Sequence, residues 1–222
     1  YNDSNVKIAG HHAGISVGPD GATHQATEDI AIMRVIPNMK VFVPCDALEA
    51  RKATVAAAKI WGPVYLRFAR EKSPVITTEE TPFTPGKAQA FWMSKKPQAV
   101  IIACGALVYN ALLAAKELEK EKIGTVVLNS PSVKPLDEKT ILELVEKYPA
   151  VVTVEEHQIH GGLGGAVAEL LAKHRPVPME FIGLKDTFGE SGSPEELIEK
   201  YGMGVKDIKK AVEKVLKRTY EV

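Results

Sequence analysis

The chain has 222 residues, 45% hydrophobic and 25% charged, enough for one large domain or two small ones of ordinary globular composition. Lys plus Arg and Asp plus Glu both total 28, and a formal net charge of +0 gives no electrostatic reason to expect nucleic acid or an anionic membrane as partner. No apolar run approaches the roughly 20 residues of a spanning helix, no signal peptide is visible, and Cys45 and Cys104 read as buried thiols of a reducing cytoplasm, neither having a second cysteine at zinc spacing.

Val6 to Ala9 reads as a strand ending at Gly10, followed by a glycine-rich loop to about Gln25 and a helix over Ala26 to Val35 with Glu28 and Asp29 in its first turn, where the helix dipole favours acids. Pro37-Asn38 stops that helix. Lys40 to Pro44 is a strand. Asp46 to Ile60 is a helix opened by the capping-type pair Asp46 and Glu49, and Val64 to Phe68 is a strand. Strand and helix alternate as in a parallel sheet. Ala69 to Gly86, with Pro74, Pro82, Pro85 and a polar run between them, has no apolar period and reads as a linker.

Alternation then resumes with a buried-type strand at Ala99 to Ala103 and a helix from about Leu107 to Lys122, which Gly124 ends. Strands follow at Thr125 to Leu128, Val151 to Val154 and Met179 to Ile182. Helices follow at Asp137 to Tyr148, after the glycines Gly161 to Gly165, from the cap Ser193-Pro194-Glu195-Glu196 to Tyr201-Gly202, and over Val205 to Arg218.

The chemistry concentrates in Gly10-His11-His12-Ala13-Gly14-Ile15-Ser16-Val17-Gly18-Pro19-Asp20-Gly21-Ala22-Thr23-His24-Gln25. Histidines there can donate hydrogen bonds to an oxygen-rich substrate and carry a proton near neutral pH, and Asp20 can accept from hydroxyls. Glycines let the backbone approach a ligand closely. Metal ligation by His11, His12, Asp20 and His24, or a plain surface turn, are the competing readings, although the spacing matches no zinc pattern. Arg67 and Arg70 lie at the end of a strand facing the same crevice, where one arginine can bind phosphate bidentately. Three residues apart on extended chain, their side chains point to opposite faces, so only one faces the site and the other reads as a salt bridge. Gly161 to Gly165 lacks dinucleotide spacing and reads as a tight turn into a helix. Glu155-Glu156-His157 reads as hydrogen-bonded structure, with part of an interface or a minor anion site as the alternatives, and the Asp186 to Gly192 loop as fixed, with Phe188 anchored.

His12, then Gly18-Pro19-Asp20-Gly21-Ala22-Thr23-His24-Gln25, Arg34 and Pro37-Asn38 resemble the pyrimidine-binding domain of transketolase. The glutamine after His24 favours transketolase over the deoxyxylulose-phosphate synthases. Val133-Lys134-Pro135-Leu136-Asp137, Val154-Glu155-Glu156-His157, Gly161-Gly162-Leu163-Gly164 and Phe188-Gly189-Glu190-Ser191-Gly192 resemble the transketolase C-terminal domain, in particular the C-terminal subunit of two-chain transketolases. Departures are Ala13-Gly14, where many members have Asp-Ser, and Pro19-Asp20, where Glu-Asp is common.

The resemblance implies an enzyme that uses thiamine diphosphate and Mg²⁺ to move a two-carbon ketol unit from a ketose phosphate to an aldose phosphate. Position by position it assigns His12 and Arg70 to the substrate phosphate, Asp20 to a donor hydroxyl, and His24 to the donor and the cofactor-bound intermediate, with His24 and Asp20 as the catalytic pair. It leaves His11 and Arg67 without a role. The family's cofactor-activating glutamate and the aromatic residue beside the cofactor ring have no counterpart here and are expected upstream of residue 1, and the diphosphate- and metal-binding motif belongs to another domain. No cofactor or metal ligand is therefore expected in this chain.

The expected architecture is α/β: a three-layer α/β/α unit with a parallel sheet, forming the C-terminal part of a truncated pyrimidine-binding domain over residues 1–70, a linker over 71–86, and a smaller α/β/α domain with a mostly parallel sheet over 87–222. The expected partners are sugar phosphates, an N-terminal transketolase subunit or domain and a second copy, in the cytoplasm, because half a sheet domain exposes apolar edge and face. The alternatives are the β subunit of a 2-oxo-acid dehydrogenase and a non-catalytic dimerisation fragment.

Overall fold

The computed structural model describes residues 1–2 and 4–220. It contains two α/β sheets, as the alternation predicts. The first takes the parallel strands β1 (Lys7–Gly10), β3 (Val64–Arg67) and β2 (Lys40–Phe42) in the order β1-β3-β2 and ends on β7 (Ser132–Lys134), antiparallel to β2. The second has β4 (Gln89–Met93), β6 (Gly124–Asn129), β5 (Pro97–Ala103), β8 (Val151–Gln158) and β9 (Met179–Leu184) in the order β4-β6-β5-β8-β9, parallel except for the edge strand β4.

Burial on both faces explains the apolar runs. In β5, Ile101 and Ala103 point into one core layer with the helices α3 (Val108–Lys120) and α7 (Val205–Tyr220). Val100 and Ile102 point into the other, with α4 (Glu138–Lys147) and α5 (Leu163–His174). That second layer continues into the first half of the chain. Val41, Val43 and Tyr65, with Ile30 of α1 (Asp29–Val35), pack into the same cluster as Leu163 and Val167. Phe42, Val64 and Leu66 alternate to the opposite face and cover Ala53 and Ala57 of α2 (Ala47–Lys59).

Three features depart from the periodicity. Helix α1 begins at Asp29, not Ala26, because Ala26 is held in a bridge with Ala13 and its carbonyl accepts Arg67 Nη2 at 2.9 Å. Strands β4 and β7 carry no clear period. β4 is a half-exposed edge, and β7 is three residues bracketed by Pro131 and Pro135. Strand β8 runs on through Glu155, Glu156 and His157, all buried. The proline-rich segment is fastened rather than loose: Asp46, the N-cap of α2, also accepts Ile76 N at 2.8 Å, Thr77 N at 2.7 Å and Thr77 Oγ1 at 2.8 Å.

Candidate functional site

The loop lies at the C-terminal ends of β1 and β3. The chain leaves β1 still paired, with Phe68 N donating to Gly10 O at 2.7 Å and Ala13 N to Phe68 O at 3.2 Å. Its two limbs are tied at the base. Ala26 N donates to His12 O at 3.3 Å and Gly14 N to Ala26 O at 2.7 Å. These bonds set His12 and His24 on adjacent limbs at the loop mouth. His12 has a left-handed backbone, φ 59°, which is uncommon for a side chain with a Cβ and is found where surrounding structure imposes it.

Asp20 and Arg70 meet. Arg70 Nη1 donates to Asp20 Oδ2 at 2.7 Å and to Val17 O at 3.0 Å, and both side chains are about one-third exposed, at 37% for Arg70 and 35% for Asp20. His12 and His24 are exposed, and His24 Nδ1 lies 3.0 Å from Thr23 Oγ1. His11 stacks on Phe68, ring centroids 5.2 Å apart. This constellation is a hydrogen-bonding set open to solvent. Among the described residues, no group of three or more His, Cys, Asp or Glu is gathered as a metal site.

Arg67 points the other way and is buried. Its Nε and Nη2 fork onto Asp29 at 2.8 and 3.1 Å, and Nη2 also donates to Glu156 O at 3.0 Å. Tyr65 Oη donates to the same carboxylate at 2.7 Å. Burial pushes the Asp29 carboxyl up, but Arg67 and Tyr65 outweigh it and hold it below the usual carboxylate range. The two arginines thus point to opposite faces, as expected from the extended chain.

Glu155 and Glu156 are the buried acids. Glu155 accepts Leu163 N at 2.7 Å and Gly164 N at 2.8 Å, so the first turn of α5 is filled by the chain's own carboxylate. A Cβ on Gly162 would lie 2.1 Å from Glu155 Oε2, which explains that glycine without a nucleotide. Glu156 Oε1 accepts Ser16 N at 2.6 Å. Burial pushes both carboxyls up. Burial also pushes up the Cys45 and Cys104 thiols, which are free and structural. The Glu155-Glu156-His157 cluster was visible as a string of ionisable residues on an apolar strand. Its tie to the loop was not, because Ser16 is far away in sequence.

The domain descriptions that match this chain are "Transketolase, pyrimidine binding domain" over residues 1–75 and "Transketolase, C-terminal domain" over residues 86–208. The chain belongs to the transketolase family. It is 41% identical over 98% of its length to the 6-deoxy-6-sulfo-D-fructose transketolase subunit SqwH of Clostridium sp. (strain MSTE9), covering 67% of that protein. It is 40% identical, again over 98% of its length, to a putative transketolase C-terminal section of Methanocaldococcus jannaschii, covering 68% of it. A solved structure described as a split gene transketolase, inactive beta4 tetramer, superposes with a TM-score of 0.89 at 44% identity, covering 97% of this chain and 68% of that one. The chain thus spans about two thirds of these proteins, but only 34% of the transketolase of Rattus norvegicus, to which it is 34% identical.

Proposed function

We propose that this chain forms the substrate-facing wall of a thiamine-diphosphate transketolase that moves a two-carbon ketol unit from a ketose phosphate to an aldose phosphate. The observation that carries the reading is the Arg70–Asp20 pair, held at 2.7 Å at a loop that is fixed at its base and also carries the exposed His12 and His24. Arg70 commits Nη1 to Asp20 and Val17, and its Nε faces Glu71 Oε1 at 4.0 Å, which leaves Nη2 for a phosphate. His12, on the adjoining limb, adds a second donor to that phosphate. Asp20 keeps Oδ1 to accept from a donor hydroxyl and so read its configuration. His24 donates to the donor oxygen and can move a proton there.

Thiamine diphosphate, held with Mg²⁺ on other chains or segments, supplies the carbon nucleophile. The donor set here suits hydroxyls and phosphate. The division at 1–70, 71–86 and 87–222 gives this chain a site half and an assembly half. Its partners are a diphosphate-binding transketolase subunit and a second copy of itself, in the cytoplasm. Two free buried thiols accord with that compartment, and among the described residues no helix is long and apolar enough to cross a membrane. Mixing the subunit with such a partner, thiamine diphosphate and Mg²⁺ is expected to give ketol transfer between sugar phosphates. No transfer by the reconstituted pair overturns the reading, and oxo-acid decarboxylation in its place assigns the chain to the 2-oxo-acid dehydrogenase β subunits.

A further inference from the structure

The loop that carries His12, Asp20 and His24 makes little shape of its own. It contains no long helix or strand, and its two short helical turns, Ile15–Asp20 and Ala22–His24, are broken by Gly18 and Gly21 at positive φ. It is moulded against the second half of the chain. Gln25 Nε2 joins Ile15 O at 3.0 Å to Glu190 O at 2.9 Å. Cβ atoms on Gly18 and Gly21 would lie 3.2 Å from Pro194 and 2.6 Å from Ser191.

The most buried of these contacts is Glu156. Its carboxylate sits over Gly14, where a Cβ would come within 2.2 Å of Oε1, and it accepts the amide of Ser16 at 2.6 Å. Gly14 has φ 79°, a conformation open to glycine, so the backbone wraps the carboxylate at the point where the segment toward Asp20 begins. At the far end of that segment Arg70 holds both Val17 O and Asp20. Glu156 is in turn fixed through its own carbonyl, which accepts Arg67 Nη2 at 3.0 Å. One end of the segment is therefore anchored by Arg70, the group assigned to substrate above, and the other by the buried Glu156.

We propose that Glu156 is a positioning residue: from the second half of the chain, it holds the substrate loop in its binding shape by accepting the Ser16 amide. This rests on the function proposed above and gives the C-terminal half a part in substrate affinity besides assembly. Glu156 acts through Ser16 and Gly14.

The test uses two variants of the full subunit in the reconstituted pair. Glu156→Met fills the space without accepting the amide, and Glu156→Gln keeps an acceptor oxygen. The Met variant is expected to raise KM for the donor ketose phosphate about tenfold, as loss of one hydrogen bond to a charged group would. The Gln variant is expected to stay within about threefold of wild type, since a neutral acceptor keeps most of one bond. A folded Met variant with unchanged KM, or a Gln variant as impaired as the Met variant, overturns the proposal. Hydrogen exchange on the wild-type subunit alone reads the same contact without any catalysis. The Ser16 amide is expected to exchange at least about a hundredfold more slowly than an exposed loop amide such as Thr23. Fast exchange at Ser16 overturns the proposal whatever the variants do. An inactive wild-type pair with a protected Ser16 overturns the transketolase reading and leaves the hold of Glu156 on the loop standing.

Discussion

Arg67 and Arg70 are three residues apart and have opposite energetics. Arg67 is buried, and its fork on Asp29 is a pair whose removal from one side strands a charge. Arg67→Met is expected to cost about 3–5 kcal/mol in urea unfolding. Arg70 is partly exposed, and its pair with Asp20 adds only about 0–1 kcal/mol to stability. Arg70→Met is therefore expected to leave the unfolding midpoint nearly unchanged while KM for a phosphorylated donor in the reconstituted pair rises about tenfold or more, the loss of one charge-assisted contact. Equal effects on stability, or no effect on KM, would count against these assignments. The period of two was enough to separate the arginines, because it is a local rule. It could not say that Asp29 rather than solvent would receive Arg67, because Asp29 belongs to a helix whose start is set by the Ala13–Ala26 bridge. Glu156 was legible as an acid and not as an anchor for the same reason: the groups it touches are distant in sequence and leave no periodic trace.

At the scale of elements, the strands and helices with a strong apolar period were readable, while those defined by pairing were not. β4 and β7 are edge strands, and an edge is specified by its neighbour's unpaired backbone rather than by its own side chains. The proline-rich segment gives the same lesson. Its composition says only that it is neither helix nor strand. Its attachment comes from backbone amides reaching Asp46, which no side-chain pattern records. Burial pushes the Asp46 carboxyl up, yet its hydrogen bonds from Glu49 N, Thr77, and Ile76 N together hold it below the ordinary value of 3.8. A depressed carboxyl contributes stability that is complete above the unfolded value and is lost as pH falls through the folded one. Asp46→Ala is expected to cost about 2–4 kcal/mol at pH 7, since it removes a helix cap and several bonds to a charged group. The cost should shrink below pH 3.8, where wild type loses the same contribution. Urea titrations of both proteins at neutral and acid pH measure it. A cost that does not change with pH would mean that the carboxylate charge has no part in it.

For the whole molecule, the surface outside the two cores is the informative part. Val6 before β1, Ile8 on it, Ile32 and Val35 on α1, and Ile36 after α1 are exposed, with Val35 at 79%. Val6, Ile8 and Ile36 line one surface hollow, and exposed apolar surface of this kind favours association. Light scattering on the purified chain is therefore expected to give a mass above the 24.1 kDa of one copy, and Ile8→Lys with Val35→Lys is expected to lower it. A stable single copy at micromolar concentration would count against this.

Strand β7 has a further consequence. It follows β6 in the chain, yet it hydrogen-bonds to β2, with Val41 opposite Lys134 and Phe42 opposite Ser132. The covalent seam between the halves and the physical seam therefore run in different places. A chimera that joins the front of this chain to the back of a relative anywhere in the proline-rich segment would import a foreign edge strand into the native front sheet. Crossovers that also restore the native Pro131-to-Pro135 stretch in the relative's half are the ones expected to yield well-folded hybrids, so the practical unit of exchange is discontinuous along the sequence.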